Sequence, residues 1–220
     1  MARKRAAVLI SGRGSNMAAL IGAARDPSYP AEIALVISNR PDAAGLAHAQ
    51  ECGIPTKVVD HKRAGGREDF EQALQTVLEQ HEIDVVCLAG FMRVLTPWLL
   101  SRWPARLINV HPALLPAFPG LGTHARALAT GVRIHGATVH FVVPEVDAGP
   151  IIVQGAVPVL ADDTEETLAK RVLAVEHRIY PQALRWLAEG RIALAGARCR
   201  IAGEGAPADA LIVPCDPPRP

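Results

Sequence analysis

Ala6-Ala7-Val8-Leu9-Ile10 runs directly into Ser11-Gly12-Arg13-Gly14-Ser15-Asn16. The first five residues form an unbroken apolar run, as expected of a strand that is covered on both faces. The next six form a glycine-rich turn, and a helical pattern follows from about Met17 to Arg25. A buried strand, a tight turn and a helix are typical of the first unit of an α/β fold.

The same alternation continues along the chain. It predicts a mostly parallel central sheet with helices on both faces, in a single α/β domain. Beyond residue 138 two further strands lie close together in sequence, which predicts an antiparallel extension in the C-terminal half. The predicted strands cover 33–37, 56–59, 85–89, 107–110, 139–143 and 151–159, and the predicted helices 45–51 and 68–80.

The last predicted helix begins at a capping box formed by Asp163 and Glu166. It runs to about Tyr180, where Pro181 predicts a kink or a break. From Arg198 onwards the periodic pattern is lost and prolines accumulate. We therefore expect one domain over residues 1–197 and a Pro-rich, mobile tail over 198–220.

Composition excludes several classes of function. The chain has 220 residues, of which 50% are hydrophobic and 20% charged, with a formal net charge of +1. This balance gives no support for nucleic-acid or membrane binding, and no apolar run is long enough to span a bilayer. The four cysteines form no CxxC pair and have no zinc-ligand spacing, which predicts reduced thiols, no metal and a cytoplasmic protein.

The glycine-rich turn allows several interpretations. A P-loop is rejected, because the turn ends in Gly14-Ser15-Asn16 and lacks the required lysine. A dinucleotide fingerprint is weak, because Met17 stands where a small residue is needed and the second strand is followed by Ser38-Asn39-Arg40. A site for a single sugar phosphate fits the helix N-terminus. The turn alone favours that site only modestly over a turn without a ligand.

A second candidate segment is Leu107-Ile108-Asn109-Val110-His111-Pro112, where an apolar strand enters a Pro-rich loop. Asn109 and His111 are two residues apart and share one side of the strand. Ligands bind beyond the carboxyl ends of parallel strands, where Met92 and Arg93 are also expected. An amide that donates to an oxyanion, beside an imidazole that moves a proton, suits acyl transfer.

Asp147 lies in the loop Val143-Pro144-Glu145-Val146-Asp147-Ala148-Gly149-Pro150. An acid near His111 would orient the imidazole and favour its charged form. Spacing alone does not pair the two residues. His124 and His140 are interpreted as structural histidines.

The chain resembles the folate-dependent formyltransferases over about residues 6–194, and within them most closely the members that act in purine biosynthesis. The matching strings occur in the family's order, and together they are far more specific than any one of them. They are 10–16, Leu88-Ala89-Gly90-Phe91-Met92-Arg93, 108–112, Leu114-Leu115-Pro116, Phe118-Pro119-Gly120, Thr123-His124, 139–142, 146–152, Glu176-His177 and Tyr180-Pro181.

The resemblance implies a Rossmann-like fold and transfer of a formyl group from 10-formyltetrahydrofolate to the amine of glycinamide ribonucleotide. Both substrates are small molecules, and a monomer or a homodimer is expected. Catalysis would rest on Asn109, His111 and Asp147. The ribonucleotide would be held by Gly14, Ser15, Asn16 and Glu176. The implied folate site consists of Arg67, Met92, Arg93, Val94, Leu95, Asn109, Val143 and Asp147.

Two positions depart from the family pattern. Leu173 stands where a glutamine is common, so the resemblance does not imply a polar contact to the substrate at this position. Ala117 stands where a basic residue is common.

The alternatives within the family are an enzyme that formylates the methionine on initiator tRNA, which normally carries an additional nucleic-acid-binding domain, and a formyl-folate hydrolase, which usually carries an N-terminal regulatory domain. A nucleotide-binding module without catalysis is the non-enzymatic alternative.

Overall fold

A seven-stranded sheet forms the centre of the protein in the computed structural model, which describes residues 2–205, 211, 213 and 214. The strand order is β3-β2-β1-β4-β5-β6-β7. Strands β1 to β5 pair in parallel, and β6 and β7 are antiparallel. The strands are β1 Lys4–Ile10, β2 Ala31–Ser38, β3 Thr56–Val58, β4 Val85–Leu88, β5 Leu107–His111, β6 Ile134–Phe141 and β7 Ile151–Pro158.

Helices cover both faces of this sheet, because successive side chains of a strand point to opposite sides. On β1, Val8 packs into a cluster with residues of α1, α2, α5 and α6, whereas Leu9 packs on the other face with residues of α3 and α4. The predicted α/β fold and its antiparallel extension are therefore confirmed. The helices are α1 Ser15–Ala24, α2 Gly45–Glu51, α3 Arg67–Gln80, α4 Pro97–Leu100, α5 Thr123–Thr130 and α6 Glu165–Ala188.

The strand order determines where a ligand can bind. The chain crosses from β1 to β2 on one side of the sheet and later enters β4 on the other side of β1. A crevice forms at such a reversal, beyond the carboxyl ends of the two strands. The turn after Ile10 and the segment after Leu88 therefore lie side by side at this crevice.

The start of α6 differs from the prediction. Its N-cap is Thr164, whose hydroxyl accepts from the Thr167 N–H at 3.2 Å. Asp163 does not cap the helix with Glu166. Its carboxylate instead binds the Arg171 guanidinium at 2.7 Å, about two helical turns further along, and that pairing lowers the pKa of Asp163.

Pro181 does not end α6, which continues to Ala188. A proline inside a helix removes one backbone hydrogen bond. Here the ring is buried on the apolar side of the helix, and its carbonyl accepts a hydrogen bond from the Tyr29 hydroxyl at 2.6 Å. Tertiary packing therefore outweighs the local cost.

Other boundaries also differ. The strand predicted at 139–143 is Ile134–Phe141. A hairpin of β8 Ile192–Ala195 and β9 Arg198–Ile201 carries the ordered chain past residue 197, because Ile201 packs into the core. The first four residues of the expected tail are therefore a strand. Residues 206–210, 212 and 215–220 lie outside the described residues.

Across the residues that the structure describes, no helix combines the length and the apolar character needed to cross a membrane.

Candidate active site

The glycine-rich turn is shaped by close backbone packing. Gly14 has a φ of 74°, a left-handed conformation that glycine adopts without strain. The Gly45 N–H donates to the Gly12 carbonyl at 3.0 Å, and a Cβ on Gly45 would lie only 2.7 Å from Ile10 Cδ1. The turn therefore closes tightly against α2 and leaves the first N–H groups of α1 facing outward, where an anion can bind.

A cavity of about 550 Å³ opens over this turn. We call it the basic cavity, because the charged side chains in its lining are Arg13, Arg40, Lys62 and Arg93. Arg40 is paired with Asp42 at 2.8 Å. Among the residues that the structure describes, no carboxylate lines this cavity, so it suits an anionic group. The turn residues Gly14, Ser15 and Asn16 all lie in its wall.

The floor of the basic cavity is a buried hydrogen-bond network. The Ser11 hydroxyl donates to Asn39 Oδ1 at 2.6 Å and accepts from the Met92 N–H at 2.9 Å. His61 Nδ1 lies 2.8 Å from the Asn39 carbonyl. The network links the ends of β1, β2 and β4, and it fixes the segment after β4 relative to the turn.

The turn is also linked to α6. Asn16 Nδ2 donates to Glu176 Oε2 at 2.5 Å, and both side chains are buried. Burial raises the pKa of Glu176, while the hydrogen bond from Asn16 acts in the opposite direction. The structure thus joins two residues that the family resemblance associates with the ribonucleotide, although they are 160 positions apart.

Asn109 and His111 lie at the end of β5, on the same side of the strand. Beneath them the Tyr180 hydroxyl lies 2.9 Å from the Leu88 carbonyl and 3.2 Å from the Ile108 carbonyl. This buried tyrosine on α6 connects the ends of β4 and β5. The position of the two side chains is therefore set by the rigid centre of the sheet.

Asp147 reaches His111 from the loop between β6 and β7. Its Oδ2 lies 3.4 Å from His111 Nδ1, and the same oxygen accepts the Gly120 N–H at 2.8 Å. Asp147 has a φ of 56°, which a non-glycine residue rarely adopts. Gly149 allows the loop to approach β6, because a Cβ there would lie 1.8 Å from the Phe141 carbonyl oxygen.

The other ring nitrogen of His111 contacts the loop after β5. His111 Nε2 lies 2.9 Å from the Phe118 carbonyl. Because a carbonyl only accepts, Nε2 carries a proton in this arrangement. With Nδ1 beside a carboxylate and Nε2 on a carbonyl, both ring nitrogens are in positions that suit an imidazolium.

His140 is a site residue that the sequence did not nominate. Its Nε2 lies 3.3 Å from Asn109 Nδ2 and 3.7 Å from Asp147 Oδ1, and its Nδ1 donates to the Phe141 carbonyl at 2.8 Å. Burial lowers the pKa of His140. A neutral ring with its proton on Nδ1 presents the Nε2 lone pair to Asn109.

A second cavity, of about 600 Å³, lies beside these residues, and we call it the apolar cavity. Val94, Val143 and Val146 contribute to its wall, and Asn109, His111 and Asp147 also line it. Of the residues implied for the folate, all but Arg67 line this cavity. Arg67 is the exposed first residue of α3 and lines neither cavity.

The two departures from the family pattern also lie near the site. Leu173 is one turn before Glu176 on α6, and Ala117 is exposed in the loop that contains Phe118. Neither residue lines the apolar cavity.

Comparison with known proteins identifies the family. A family model described as formyl transferase matches residues 4–184. The chain belongs to the formyl transferase family. Within that family it is 44% identical to the phosphoribosylglycinamide formyltransferase of Escherichia coli, over 84% of this chain and 87% of that protein.

Two further formyl transferase relatives differ in how much of their length is matched. A crystal structure of glycinamide ribonucleotide transformylase 1 from Symbiobacterium toebii superposes with a TM-score of 0.88 at 48% identity, covering 90% of this chain and 94% of that one. The human trifunctional purine biosynthetic protein adenosine-3 is 50% identical over 87% of this chain. The chain spans only 19% of that protein's length.

A formyltetrahydrofolate deformylase from Pseudomonas syringae also has this fold, with a TM-score of 0.84 at 29% identity. It covers 90% of this chain, which in turn covers 66% of the deformylase. The fold alone therefore does not separate transfer from hydrolysis within the family.

Proposed function

We propose that the protein transfers the formyl group of 10-formyltetrahydrofolate to the primary amine of glycinamide ribonucleotide. The products are N-formylglycinamide ribonucleotide and tetrahydrofolate, in purine biosynthesis. The observation that carries the proposal is the position of His111, whose Nδ1 lies 3.4 Å from Asp147 Oδ2 in the wall of the apolar cavity. That cavity shares Asn16 of the glycine-rich turn with the basic cavity. A formyl donor and a phosphorylated amine can meet at that point.

The apolar cavity is the proposed folate site. Met92, Arg93, Val94, Leu95, Asn109, Val143 and Asp147 all line it. Its apolar lining residues, among them Phe91, Val94 and Leu95, suit a flat heteroaromatic ring. Asn109, His111 and Asp147, which also line the cavity, would meet the formyl group. Arg67, on the surface at the start of α3, is proposed to meet the carboxylate end of the folate.

The turn is the proposed phosphate site for the ribonucleotide. Gly14, Ser15 and Asn16 offer backbone N–H groups at the start of α1, where the helix dipole favours an anion. Asn16 lines both cavities, and its amide is bound to Glu176. Glu176 also lines the apolar cavity. Its carboxylate is proposed to meet ribose hydroxyls between the phosphate and the amine.

In the proposed reaction the amine attacks the formyl carbon, and a carbon–nitrogen bond forms as negative charge develops on the formyl oxygen. The Asn109 amide and the His111 imidazolium donate hydrogen bonds to that oxygen, and each such donor can contribute roughly 3 kcal/mol. Collapse of the intermediate breaks the bond to N10 of the folate. The attacking nitrogen loses one proton, and N10 gains one.

His111 has to exchange a partner before it can act in this way. Its Nε2 proton is held by the Phe118 carbonyl at 2.9 Å, and the Asp147 carboxylate occupies the Nδ1 side. We propose that the formyl oxygen replaces the Phe118 carbonyl as the acceptor. Asp147 keeps the ring oriented and charged while this exchange takes place.

We further propose that the protein works in the cytoplasm, as a monomer or a homodimer, on small-molecule substrates and without nucleic-acid or membrane partners. The formal net charge of +1 and the small number of aromatic residues support this proposal. Size-exclusion chromatography with light scattering tests the oligomeric state.

Hydrolysis of the formyl folate is the alternative that the deformylase likeness favours. One assay separates the two reactions. The full chain is supplied with 10-formyltetrahydrofolate, or a stable analogue, with and without glycinamide ribonucleotide, and the deformylated folate is followed. We expect turnover only when the ribonucleotide is present, with one N-formyl product for each folate released. Equal turnover without the ribonucleotide would establish the hydrolase instead, and no turnover in either case would indicate a binding module.

A further inference from the structure

The segment of residues 90–96 separates the two cavities, and we call it the dividing wall. Gly90, Met92 and Arg93 line both cavities. The Met92 and Val94 side chains are exposed, whereas Leu95 is buried. No regular secondary structure holds the dividing wall, which begins after β4 and ends where α4 starts. Its shape therefore depends on contacts with neighbouring elements.

At its first half the dividing wall is held by side-chain packing and by one backbone hydrogen bond. The Met92 N–H donates to the Ser11 hydroxyl at 2.9 Å. The Phe91 ring stacks on Phe70 of α3, with the centroids 6.4 Å apart, and the Arg93 guanidinium lies 5.3 Å from the Phe70 centroid. Helix α3 therefore supports the wall from the side.

At its second half the dividing wall is held by Glu71, one residue along α3 from Phe70. Glu71 is a carboxylate that is 1% exposed. Its Oε1 accepts the Thr96 N–H at 2.7 Å, and its Oε2 accepts the Thr96 hydroxyl. Within the described part of the chain no cation pairs with it. Both carboxylate oxygens of Glu71 therefore bind Thr96, the last residue of the dividing wall.

Burial of a carboxylate is costly, and an apolar residue of similar size would pack against the core at a lower cost. The buried contact between Glu71 and Thr96, which are 25 positions apart, instead holds Thr96 at one position relative to α3. Thr96 is the end of the dividing wall, whose side chains line the proposed folate site.

We propose that Glu71 is a positioning residue for the folate co-substrate: it anchors Thr96 so that Met92 to Leu95 keep the shape of the folate site. The inference rests on the proposed function. Glu71 lines neither cavity, and Asn109, His111 and Asp147 stand on other elements. Loss of the anchor therefore weakens folate binding and leaves the chemical step intact.

Two substitutions at position 71 separate anchoring from mere packing. Glu71→Gln keeps an oxygen that accepts the Thr96 N–H and an amide that donates to the Thr96 hydroxyl. Glu71→Leu has a similar volume and removes both bonds. We expect the KM for formyl folate to stay within about threefold in Glu71→Gln and to rise roughly tenfold or more in Glu71→Leu, since hydrogen bonds to a charged group are among the strongest in proteins.

Val94 and Leu95, which are nearest in sequence to the anchor at Thr96, line the apolar cavity and not the basic cavity. The residues proposed to bind the ribonucleotide lie at the start of α1 and in α6. The kcat of Glu71→Leu and its KM for the ribonucleotide should therefore remain within about threefold of the wild type, because a change in the folate site alters only uniform binding. Thr96→Val removes the hydroxyl but not the N–H, and it should raise the folate KM by a smaller factor. Added to Glu71→Leu it should have no further effect, because both changes break the same contact.

Asp163→Asn is the matched control for stability. It weakens a partly buried ion pair with Arg171 at the start of α6 and should lower the melting temperature without changing the folate KM. An unchanged folate KM in both Glu71→Leu and Thr96→Val would overturn the proposal. The proposal would also be overturned if the only effect of Glu71→Leu were a fall in apparent kcat in proportion to the fraction of unfolded protein. If Glu71→Leu does not fold, Thr96→Val alone decides the question. Failure of the proposed function would appear separately, as an inactive wild-type chain.

Discussion

Asn109 Nδ2 lies 3.3 Å from His140 Nε2, and the two residues are direct partners in the antiparallel pairing of β5 and β6. Because His140 Nδ1 donates a hydrogen bond to the Phe141 carbonyl, the Nε2 of the neutral ring is left as an acceptor. The pair therefore fixes which way the Asn109 amide points. Nδ2 has a second hydrogen, which can be donated to a substrate oxygen.

His140→Leu should lower kcat, because the Asn109 amide loses the partner that fixes its orientation. We expect a loss of roughly tenfold to a hundredfold, below that of removing the donor in Asn109→Ala. The two losses should not add in the double variant, because His140 acts through Asn109. Steady-state kinetics of the four proteins measure this. Fully additive losses would mean that His140 has an independent role.

His140 also illustrates what the sequence could not provide. The alternation of apolar runs and helical patterns was sufficient for the parallel sheet and its antiparallel extension, because both depend on local periodicity. The placement of His140 opposite Asn109 depends on the register between two strands, and nothing local to either strand specifies it. The sequence alone therefore predicts only a structural histidine at position 140.

Asp147 is a similar case. It is 36 positions from His111, in a loop that depends on a left-handed backbone at Asp147 itself and on the close approach of Gly149 to β6. Only the family resemblance pairs the two residues in advance.

Helix α5 is absent from the sequence prediction for a different reason. It begins after Gly122 and ends before Gly131, both of which have a left-handed backbone, and no side chain caps its start.

Asp147→Asn tests the role of the carboxylate directly. The amide is nearly the same size and still accepts the Gly120 N–H, but it carries no charge to favour a protonated His111. We expect kcat to fall roughly a hundredfold or more. The KM for the ribonucleotide should be nearly unchanged, because Asp147 does not line the basic cavity over the turn. Steady-state kinetics with each substrate varied in turn measure both constants. A rise in the KM for the ribonucleotide with kcat retained would contradict this role of Asp147.

Glu176→Ala should act mainly on the ribonucleotide. It removes the partner of Asn16 Nδ2 and a carboxylate in the wall of the apolar cavity. We expect the KM for the ribonucleotide to rise roughly tenfold, as for the loss of a hydrogen bond to a charged group. The folate KM should change little. Isothermal titration with the ribonucleotide checks the binding component, and a selective loss of folate affinity would contradict the assignment.

Leu173→Gln tests the departure from the family pattern one turn before Glu176. Restoring an amide on this face of α6 should lower the KM for the ribonucleotide by about threefold, which corresponds to one modest hydrogen bond. Leu173→Met is the matched control, because it changes the side chain without adding a polar group. The same KM in the glutamine and methionine variants would show that this position does not reach the substrate.

The buried imidazole of His135 should make the protein less stable in mild acid. Its ring is 1% exposed and packs edge-on against Phe118 and His124. Burial lowers the pKa of His135 to about 4, from 6.5. Between these two values the unfolded chain binds a proton that the folded chain does not. The free energy of unfolding therefore decreases as the pH falls from about 6.5 towards 4, by about 2 kcal/mol between pH 7.5 and pH 5.

Urea unfolding of the wild type and of His135→Leu at these two pH values measures this contribution. The leucine variant has no proton to take up at this position, so its loss of stability in acid should be smaller by about 2 kcal/mol. Part of the slope should remain, because burial also lowers the pKa of His124, His140 and His177. Parallel pH dependences in the two proteins would mean that the folded chain protonates His135 as readily as the unfolded chain does, in conflict with its burial between two aromatic rings.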